Sequence, residues 1–296
     1  MRLLRAIPAI VVCSAVLLTG CYKSTRLVQK TMPPDMFQSA GVETLKKLVS
    51  DRDAAIKTLN ATVEITASMG GGKTGQVTTY TPFKGYIFVR QPADLRVILQ
   101  VPVLGSRAMD MVSDGKMFTM VHATAHNGDV WIQGNDVVAV PSKNSLENLR
   151  PDVFLDSLLV PGVSADEYVA VTESTRLVPL PDKKNQAIEE PDYDLSVMKL
   201  KDGKVFQTLR VIHLNRINLL PYQLDIYNAD GQVVTKAVYD GYKDFGGTQF
   251  PTVIDISRPL EELSLKVQIT KLTLNETLED DQFDLKVPDG VTVKKM

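Results

Sequence analysis

Apolar and polar residues alternate along most of the chain after residue 58, and this pattern restricts the fold more than any other feature. Leu263, Leu265, Val267 and Ile269, for example, are separated by single polar residues. A period of two predicts β-strands with one apolar and one wet face. Asn-Gly or Asp-Gly pairs at 114–115, 127–128, 202–203 and 230–231 supply the positive φ angles of tight hairpin turns. The chain is therefore predicted to form about ten to twelve consecutive antiparallel strands.

Two short helical patterns interrupt the strands. An apolar stripe at three- and four-residue spacing over 43–55 predicts an amphipathic helix, and Pro151 suits the first position of a second helix over 151–159. The polar, proline-bounded segment 179–191 predicts a long exposed loop. Because so many strands exceed what a flat sheet carries, the predicted fold class is mainly β (α+β), with a large curved antiparallel sheet that forms a partial barrel and leaves a cavity.

The N-terminus predicts export and lipid anchoring. Arg2 and Arg5 precede an apolar run over 6–18 that is shorter than the roughly 20 residues of a membrane-spanning helix, so residues 1–20 are predicted to be a signal peptide. The run ends in Leu-Thr-Gly-Cys, which matches a bacterial lipobox and predicts lipidation at Cys21. The alternative is a plain secretory signal with a chance cysteine. Residues 21–42 are predicted to be a tether, and 43–296 a single domain.

Several chemistries have no support in the sequence. A formal net charge of −2 provides no basic surface for nucleic acid. The segment 70–74, Gly-Gly-Gly-Lys-Thr, lacks the first glycine of a phosphate-binding loop, because Ala67 stands at that position. His122 and His126 are predicted to lie solvated at a hairpin end rather than in a metal site, and His213 to be a packed or rim residue. With no nucleophile elbow or dinucleotide motif, the chain is predicted to be non-enzymatic, without metal or cofactor.

Four short segments resemble the LolA and LolB family of bacterial lipoprotein carriers and receptors. They are Phe88-Val89-Arg90-Gln91-Pro92, Val101-Pro102-Val103-Leu104-Gly105-Ser106, the hairpin Met111 to Phe118 with Ser-Asp-Gly-Lys, and the closing Phe283 to Val291. The second segment is similar to a Pro-x-x-Gly turn of LolB, which is itself a lipoprotein. The resemblance implies an incomplete β-barrel with helices over its mouth, a hydrophobic cavity for acyl chains such as palmitate, and a periplasmic carrier protein as a partner.

The apolar sheet face is the predicted acyl-binding surface. Its predicted cavity residues are Val63, Ile65, Val97, Leu99, Leu224, Ile226, Ile254, Ile256, Leu263, Leu265, Val267 and Ile269. Lys266 and Gln268 are predicted to face water. Arg90 and Arg96 are candidates for contacts with a lipid headgroup, with solvated arginines as the alternative. If the cavity is open, Val267→Glu should abolish ligand uptake at a modest cost in stability, whereas outright unfolding would indicate a filled core and remove the main physical support for a carrier.

These expectations lead to a functional hypothesis. The chain is predicted to be an outer-membrane lipoprotein, because Tyr22 stands where an aspartate retains enterobacterial lipoproteins at the inner membrane. The periplasmic face of the outer membrane is favoured over the cell surface. The protein would receive or transfer lipoproteins or lipids. The alternative is a non-enzymatic envelope interaction or sensor module built on the same fold.

Overall fold

The computed structural model describes residues 36–124, 128–135, 146–179 and 187–296. The chain divides into a smaller unit, residues 1–33 with 177–190, and a larger unit, residues 34–176 with 191–296. Within the smaller unit, residues 177–179 and 187–190 are described and all are in strands. Cys21, the predicted signal peptide and the predicted tether up to residue 35 lie outside the described residues.

The described residues form two α-helices and seventeen strands. The helices are α1 (Val42–Ala55) and α2 (Pro151–Leu158), with short 3-10 turns at Leu146–Asn148 and Asp280–Phe283. The strands are β1 Thr58–Gly71, β2 Gln76–Thr79, β3 Phe83–Arg90, β4 Asp94–Gln100, β5 Arg107–Ser113, β6 Met117–Thr124, β7 Gly128–Asn135, β8 Tyr168–Pro179, β9 Ala187–Lys201, β10 Val205–Asn215, β11 Pro221–Tyr227, β12 Val233–Asp240, β13 Lys243–Phe245, β14 Thr248–Phe250, β15 Val253–Arg258, β16 Leu263–Leu274 and β17 Val293–Lys295.

One large sheet contains almost all of the strands. Its order is β17-β7-β6-β5-β4-β3-β1-β16-β15-β12-β11-β10-β9-β8, with β2 paired to β1 and a separate β13-β14 hairpin. The strand pairs whose register is resolved are antiparallel except for β17, which runs parallel to β7. Because β17 and β8 end the order without pairing to each other, the sheet does not close. The predicted fold class, mainly β with a large open antiparallel sheet and few helices, is confirmed.

Strand β16 shows how the alternation produces the core. Leu263, Leu265, Val267 and Ile269 are buried, while Lys266 and Gln268 are exposed as predicted. Val267 pairs with Ile65 of β1 on one side and with Ile254 of β15 on the other. Cross-strand neighbours on one pleated face pack against each other, so apolar residues in register build a continuous apolar surface.

The structure differs from the sequence-based expectations in two boundaries and in the number of strands. The loop predicted over 179–191 is partly strand, because β9 begins at Ala187 and continues through Pro191, which a strand tolerates where no amide donor is needed. The alternating residues from Phe250 to Ile256 fit one strand by their period of two, but they are divided between β14 and β15, because the Thr252 amide donates to the carbonyls of Asp240 and Gly241. The strands also outnumber the predicted ten to twelve, mainly because β2, β13, β14 and β17 are only three or four residues long and give little periodic signal.

Both helices lie near their predicted positions and contribute apolar side chains to the core. Helix α1 buries Leu45 and Val49. Helix α2 starts with Pro151, whose fixed φ suits the first turn, and buries Val153, Phe154 and Leu158. It packs mainly on β12 and β15. In the described part of the chain, neither helix is long and apolar enough to cross a membrane.

Candidate functional site

The structure gathers the predicted cavity residues on one face. Eleven of the twelve are buried in a single core cluster, and Ile226 is partly buried against it. Side chains of α1 and α2 belong to the same cluster, including Leu45 and Phe154. The face is therefore filled by the chain's own helices in this structure. The acyl-binding role of these residues stays a prediction, and any acyl chain on this face has to replace helix side chains.

Arg90 and Arg96 are both paired with carboxylates. Arg90 donates to Asp94 and to Asp280, each at 2.8 Å. Arg96 forms a two-pronged bond to Asp110, with nitrogen to oxygen distances of 3.0 and 2.9 Å. Such charge-assisted forks fix the guanidinium in place. Contact with a lipid headgroup would have to compete with these carboxylates, and the predicted headgroup role remains a prediction.

A narrow cleft lies where the C-terminal ends of α1 and α2 meet the sheet. Its open volume is about 40 Å³, more than the roughly 10–15 Å³ that a cavity needs to hold one water. None of the twelve predicted cavity residues lines it. The lining residues are Arg52, Asp53, Ile56, Leu158, Leu159, Val160, Pro221, Tyr239, Tyr242, Gln249, Phe250 and Pro251. We call this the helix-end cleft.

Polar bonds hold the end of α1 to the segment that follows α2. Asp53 accepts hydrogen bonds at both oxygens, from the Gln91 side chain and from the Gly162 amide, each at 2.9 Å. The Ser50 hydroxyl accepts the Val163 amide at 3.1 Å. The adjacent Arg52 has no ion pair among the described residues, and burial lowers its pKa, opposed by interaction with Tyr242. One cation at the cleft is thus left without a counterion from the described chain.

Two tyrosines line the cleft and differ in their hydrogen bonding. The Tyr242 hydroxyl donates to the Pro221 carbonyl at 2.6 Å. Tyr239 is only 4% exposed, and its hydroxyl has no hydrogen-bond partner within the described residues. Burial raises the pKa of both hydroxyls above the ordinary value. Both are therefore neutral donors, and the hydroxyl of Tyr239 is unused.

Helix α2 carries an acidic pair that faces one buried arginine. Arg258 is 6% exposed and pairs with Asp152 of α2 at 2.9 Å and with Glu261 at 2.7 Å. Asp156, one turn after Asp152, has its pKa raised to about 6, first by burial and then by the charge of Asp152, while Arg258 opposes the shift. Near neutral pH Asp156 of α2 is therefore ionised in a buried position, which lowers the stability of the folded protein.

This shift predicts a pH dependence of stability. Because the folded pKa of Asp156 lies above its ordinary value of 3.8, its contribution is fully present below about pH 4 and is lost as the pH rises through about 6. We expect Asp156→Asn to raise the free energy of unfolding at pH 7.5 by about 1–3 kcal/mol. It should also flatten the stability profile between pH 4 and 7, measured by urea denaturation.

The exposed turn residue Asp230 offers a matched control. Asp230→Asn keeps a turn-compatible residue before Gly231 and should leave the pH profile of the wild type unchanged. Parallel profiles for the wild type and the Asp156→Asn variant would contradict the assignment of the pH dependence to Asp156.

The histidine predictions had different outcomes. His122 was predicted to be solvated but is 1% exposed, because β6 continues past it and its Nε2 lies 3.4 Å from Glu147. His126 lies outside the described residues. His213 is partly buried, with Nδ1 2.6 Å from Asp194 and Nε2 3.3 Å from Asp225. Burial lowers the pKa of His213, but the two aspartates outweigh it and the net shift is upward.

Metal binding has no site in the described ranges. No group of three or more histidine, cysteine or acidic residues there could hold a metal ion. The side chains around His213 form a charged cluster, in which each aspartate satisfies one ring nitrogen.

Sequence reasoning missed the polar groups of the helix-end cleft. Tyr239 belongs to a recognised alternating run, and Arg52 to the recognised first helix. Neither pattern indicates that the two residues line one cleft. The available signal was the position of Arg52 in the last turn of an amphipathic helix, which is also where a cation favourable to the helix dipole would stand.

These features define the class of protein as an open antiparallel sheet whose apolar face is covered by two helices. No family model matches the chain, and no curated protein does. Among solved structures, it is similar to a LolA superfamily protein from Nitrosomonas europaea, with 12% identity, TM-score 0.48 and coverage of 83% of this chain and 99% of that chain. A DUF1329 family protein from Desulfovibrio piger has 17% identity, TM-score 0.48 and coverage of 83% and 98%.

A third similar structure is a proposed outer membrane lipoprotein-sorting protein domain from Vibrio parahaemolyticus. It has 11% identity, TM-score 0.45 and coverage of 82% of this chain and 97% of that chain. All three TM-scores lie below 0.5, and all three sequence identities are 17% or lower.

Proposed function

We propose that this protein is a non-enzymatic, membrane-anchored lipoprotein that binds acyl chains between its sheet and its two helices. It would receive or transfer lipoproteins or lipids at the periplasmic face of the outer membrane, with a periplasmic carrier protein as a partner. The observation that carries the proposal is the continuous apolar sheet face, which only two helices cover in the described part of the chain.

An acyl chain can replace the helices energetically. The side chains that α1 and α2 bury most completely are Leu45, Val49, Val153, Phe154 and Leu158. At about 1.5–3 kcal/mol each, their burial contributes roughly 8–15 kcal/mol. A 16-carbon chain gains roughly 12 kcal/mol when it leaves water. The two values are similar, so exchange of helix side chains for an acyl chain that is taken from water needs little net free energy.

The docking of α2 also leaves polar groups without partners. The hydroxyls of Ser157 and Tyr239 and the Nε of Arg150 are buried and have no hydrogen bond among the described residues. A buried unsatisfied polar group costs about 1–3 kcal/mol. Helix α2 is therefore held less firmly than its apolar contacts alone would suggest, which favours its displacement by a ligand.

An exposed apolar hairpin tip supports a role at a membrane. Val103 and Leu104, between β4 and β5, are 104% and 78% exposed. Apolar side chains grouped at the surface favour contact with an apolar partner such as the acyl region of a bilayer. A lipid anchor at Cys21 would keep the chain at a membrane, which is the apolar partner that we propose for this tip.

Lipid extraction from the protein tests the proposal. A soluble Cys21→Ser form, purified from cells and extracted with organic solvent, is expected to release acyl lipids and to take up a fluorescent fatty acid. Because the binding surface is the sheet face, both results should be independent of the anchor. Consistent absence of co-purifying lipid together with no uptake of the probe would overturn the proposal.

A second function is favoured by the filled sheet face. If the helices never leave it, the same fold serves as an envelope interaction or sensor module whose surface, rather than its interior, makes the contacts. Cross-linking in cells that returns one stoichiometric protein partner, with no lipid bound, would support this module over the carrier.

A further inference from the structure

The helix-end cleft combines apolar walls with two polar groups that the described chain leaves unused. Ile56, Leu158, Val160 and Phe250 provide apolar surface. Arg52 contributes an unpaired cation, and Tyr239 contributes a hydroxyl without a hydrogen-bond partner. Ile56, Leu158, Tyr239 and Phe250 also belong to the core cluster that contains the apolar sheet face. The inference therefore rests on the proposed function and concerns which headgroup of a bound acyl ligand the adjoining cleft selects.

Arg52 has the chemistry of an anion ligand. It is partly buried in the last turn of α1, and no carboxylate of the described residues pairs with it. Its neighbour Asp53 forms no ion pair with it among the described residues, and the two Asp53 carboxylate oxygens accept hydrogen bonds from Gln91 and Gly162 instead. A partly desolvated guanidinium presents a planar fork of donors that fits carboxylate and phosphate oxygens.

Tyr239 provides the second, independent observation. The residue lines the cleft and is 4% exposed, yet its hydroxyl is unpaired among the described residues. Buried hydroxyls in proteins normally have a hydrogen-bond partner, since a buried hydroxyl without one raises the free energy of the folded state. Tyr242 in the same cleft follows that rule through its bond to Pro221. An oxygen acceptor from a ligand would satisfy Tyr239 in the same way.

We propose that the helix-end cleft recognises an acyl chain that ends in an oxyanion, either a carboxylate or a phosphate. The chain lies against the apolar walls, Arg52 pairs with the anion, and the Tyr239 hydroxyl donates a hydrogen bond to it. The cleft has an open volume of only about 40 Å³, so the ligand enters as α2 moves away from the end of α1. Neutral headgroups lack the charge for Arg52, and cationic headgroups are repelled by it.

Three probes with the same chain length test the headgroup: hexadecanoate, hexadecyl phosphate and hexadecanol. Each competes with a fluorescent acyl probe on the Cys21→Ser protein. We expect both anionic probes to bind at least about 10-fold more tightly than the alcohol, in keeping with one charge-assisted contact. Inorganic phosphate at the same concentration should not compete. Competition by inorganic phosphate would overturn the acyl part of the inference.

Variants at Arg52 assign the preference. Arg52→Gln should remove the preference for anions while leaving the affinity for hexadecanol unchanged, and Arg52→Lys should retain part of it. Lys57→Gln removes a nearby exposed charge that does not line the cleft, and should change nothing. If Arg52→Gln lowers the melting temperature but keeps the preference, Arg52 serves only the helix end, and the inference is wrong.

Tyr239→Phe separates ligand binding from folding. Because the hydroxyl has no hydrogen-bond partner among the described residues, this variant should keep or raise the melting temperature yet bind the anionic probes several-fold more weakly. Tyr242→Phe, which breaks a hydrogen bond, should lower the melting temperature instead. Unchanged affinity of Tyr239→Phe for both anions would overturn the assigned role of Tyr239.

The outcomes distinguish this inference from the proposed function. Equal binding of all three probes would keep the acyl carrier and overturn the headgroup selection. Failure of all three to compete, together with no uptake of the fluorescent probe, would overturn both.

Discussion

Val267→Glu is expected to lower the free energy of unfolding by about 4 kcal/mol or more, enough to unfold the larger unit at physiological temperature. Val267 is fully buried in the middle of β16, between Ile65 and Ile254 of the neighbouring strands. A carboxylate there would have no water and no partner. Urea denaturation followed by circular dichroism measures the loss.

Lys266→Glu on the exposed face of the same strand is the matched control. Lys266 lies 3.3 Å from Asp255, and its side chain is about half exposed. Removing such a surface pair and adding a like charge should cost less than about 1 kcal/mol. Comparable losses in the two variants would contradict the one-sided burial of β16.

The expected unfolding changes what the experiment says about acyl binding. From the sequence alone, we expect that, if the cavity is open, Val267→Glu abolishes ligand uptake and costs little stability. On the same basis, outright unfolding of this variant is evidence against a carrier. In the structure the face is filled by α1 and α2. The carrier proposal therefore depends on displacement of these helices rather than on a standing cavity. A folded Val267→Glu protein of nearly wild-type stability would show that water reaches the face when the helices open.

Arg258→Met is expected to lower the free energy of unfolding by about 3 kcal/mol. The side chain of Arg258 is buried and joins Asp152 of α2 to Glu261, with a further bond to Thr235 at 3.2 Å. Methionine fills much of the volume but leaves two partly buried carboxylates without their main cation. Arg150 compensates only weakly, at 3.9 Å from Asp152 and 3.4 Å from Glu261.

Denaturation and hydrogen exchange together locate the effect of Arg258→Met. Amides of α2 should exchange faster than those of β16, and uptake of a fluorescent fatty acid should become faster where the variant is still folded. Arg107→Met removes an exposed arginine that pairs with Asp129 and should cost less than about 1 kcal/mol. Uniformly faster exchange across the sheet, with α2 no more affected than β16, would contradict the role of Arg258 in holding α2 to the sheet through Asp152.

The sequence by itself determined the elements and the direction in which most side chains point. The alternation of β16, the turn pairs such as Asp202-Gly203, and the proline at the start of α2 are local signals, and local backbone preferences act over a few residues. For this reason the strands, the two helices and the exposed Lys266 were predictable. Boundaries failed where a proline was interpreted as the end of a loop, as at Pro191, although the strand β9 runs through it.

Tertiary structure alone decided what covers the apolar face and which polar groups are left over. Helix α2 follows β7 in the chain but packs on β12 and β15, and Arg52 lies far in sequence from Tyr239 although both line one cleft. The ion pair of Arg96 with Asp110 and the burial of His122 likewise depend on contacts between separate segments of the chain. Periodicity reports which side of an element is apolar, whereas partners across the sheet depend on strand order and helix placement. These come from the packing of the whole chain, because burial against distant segments supplies most of the free energy.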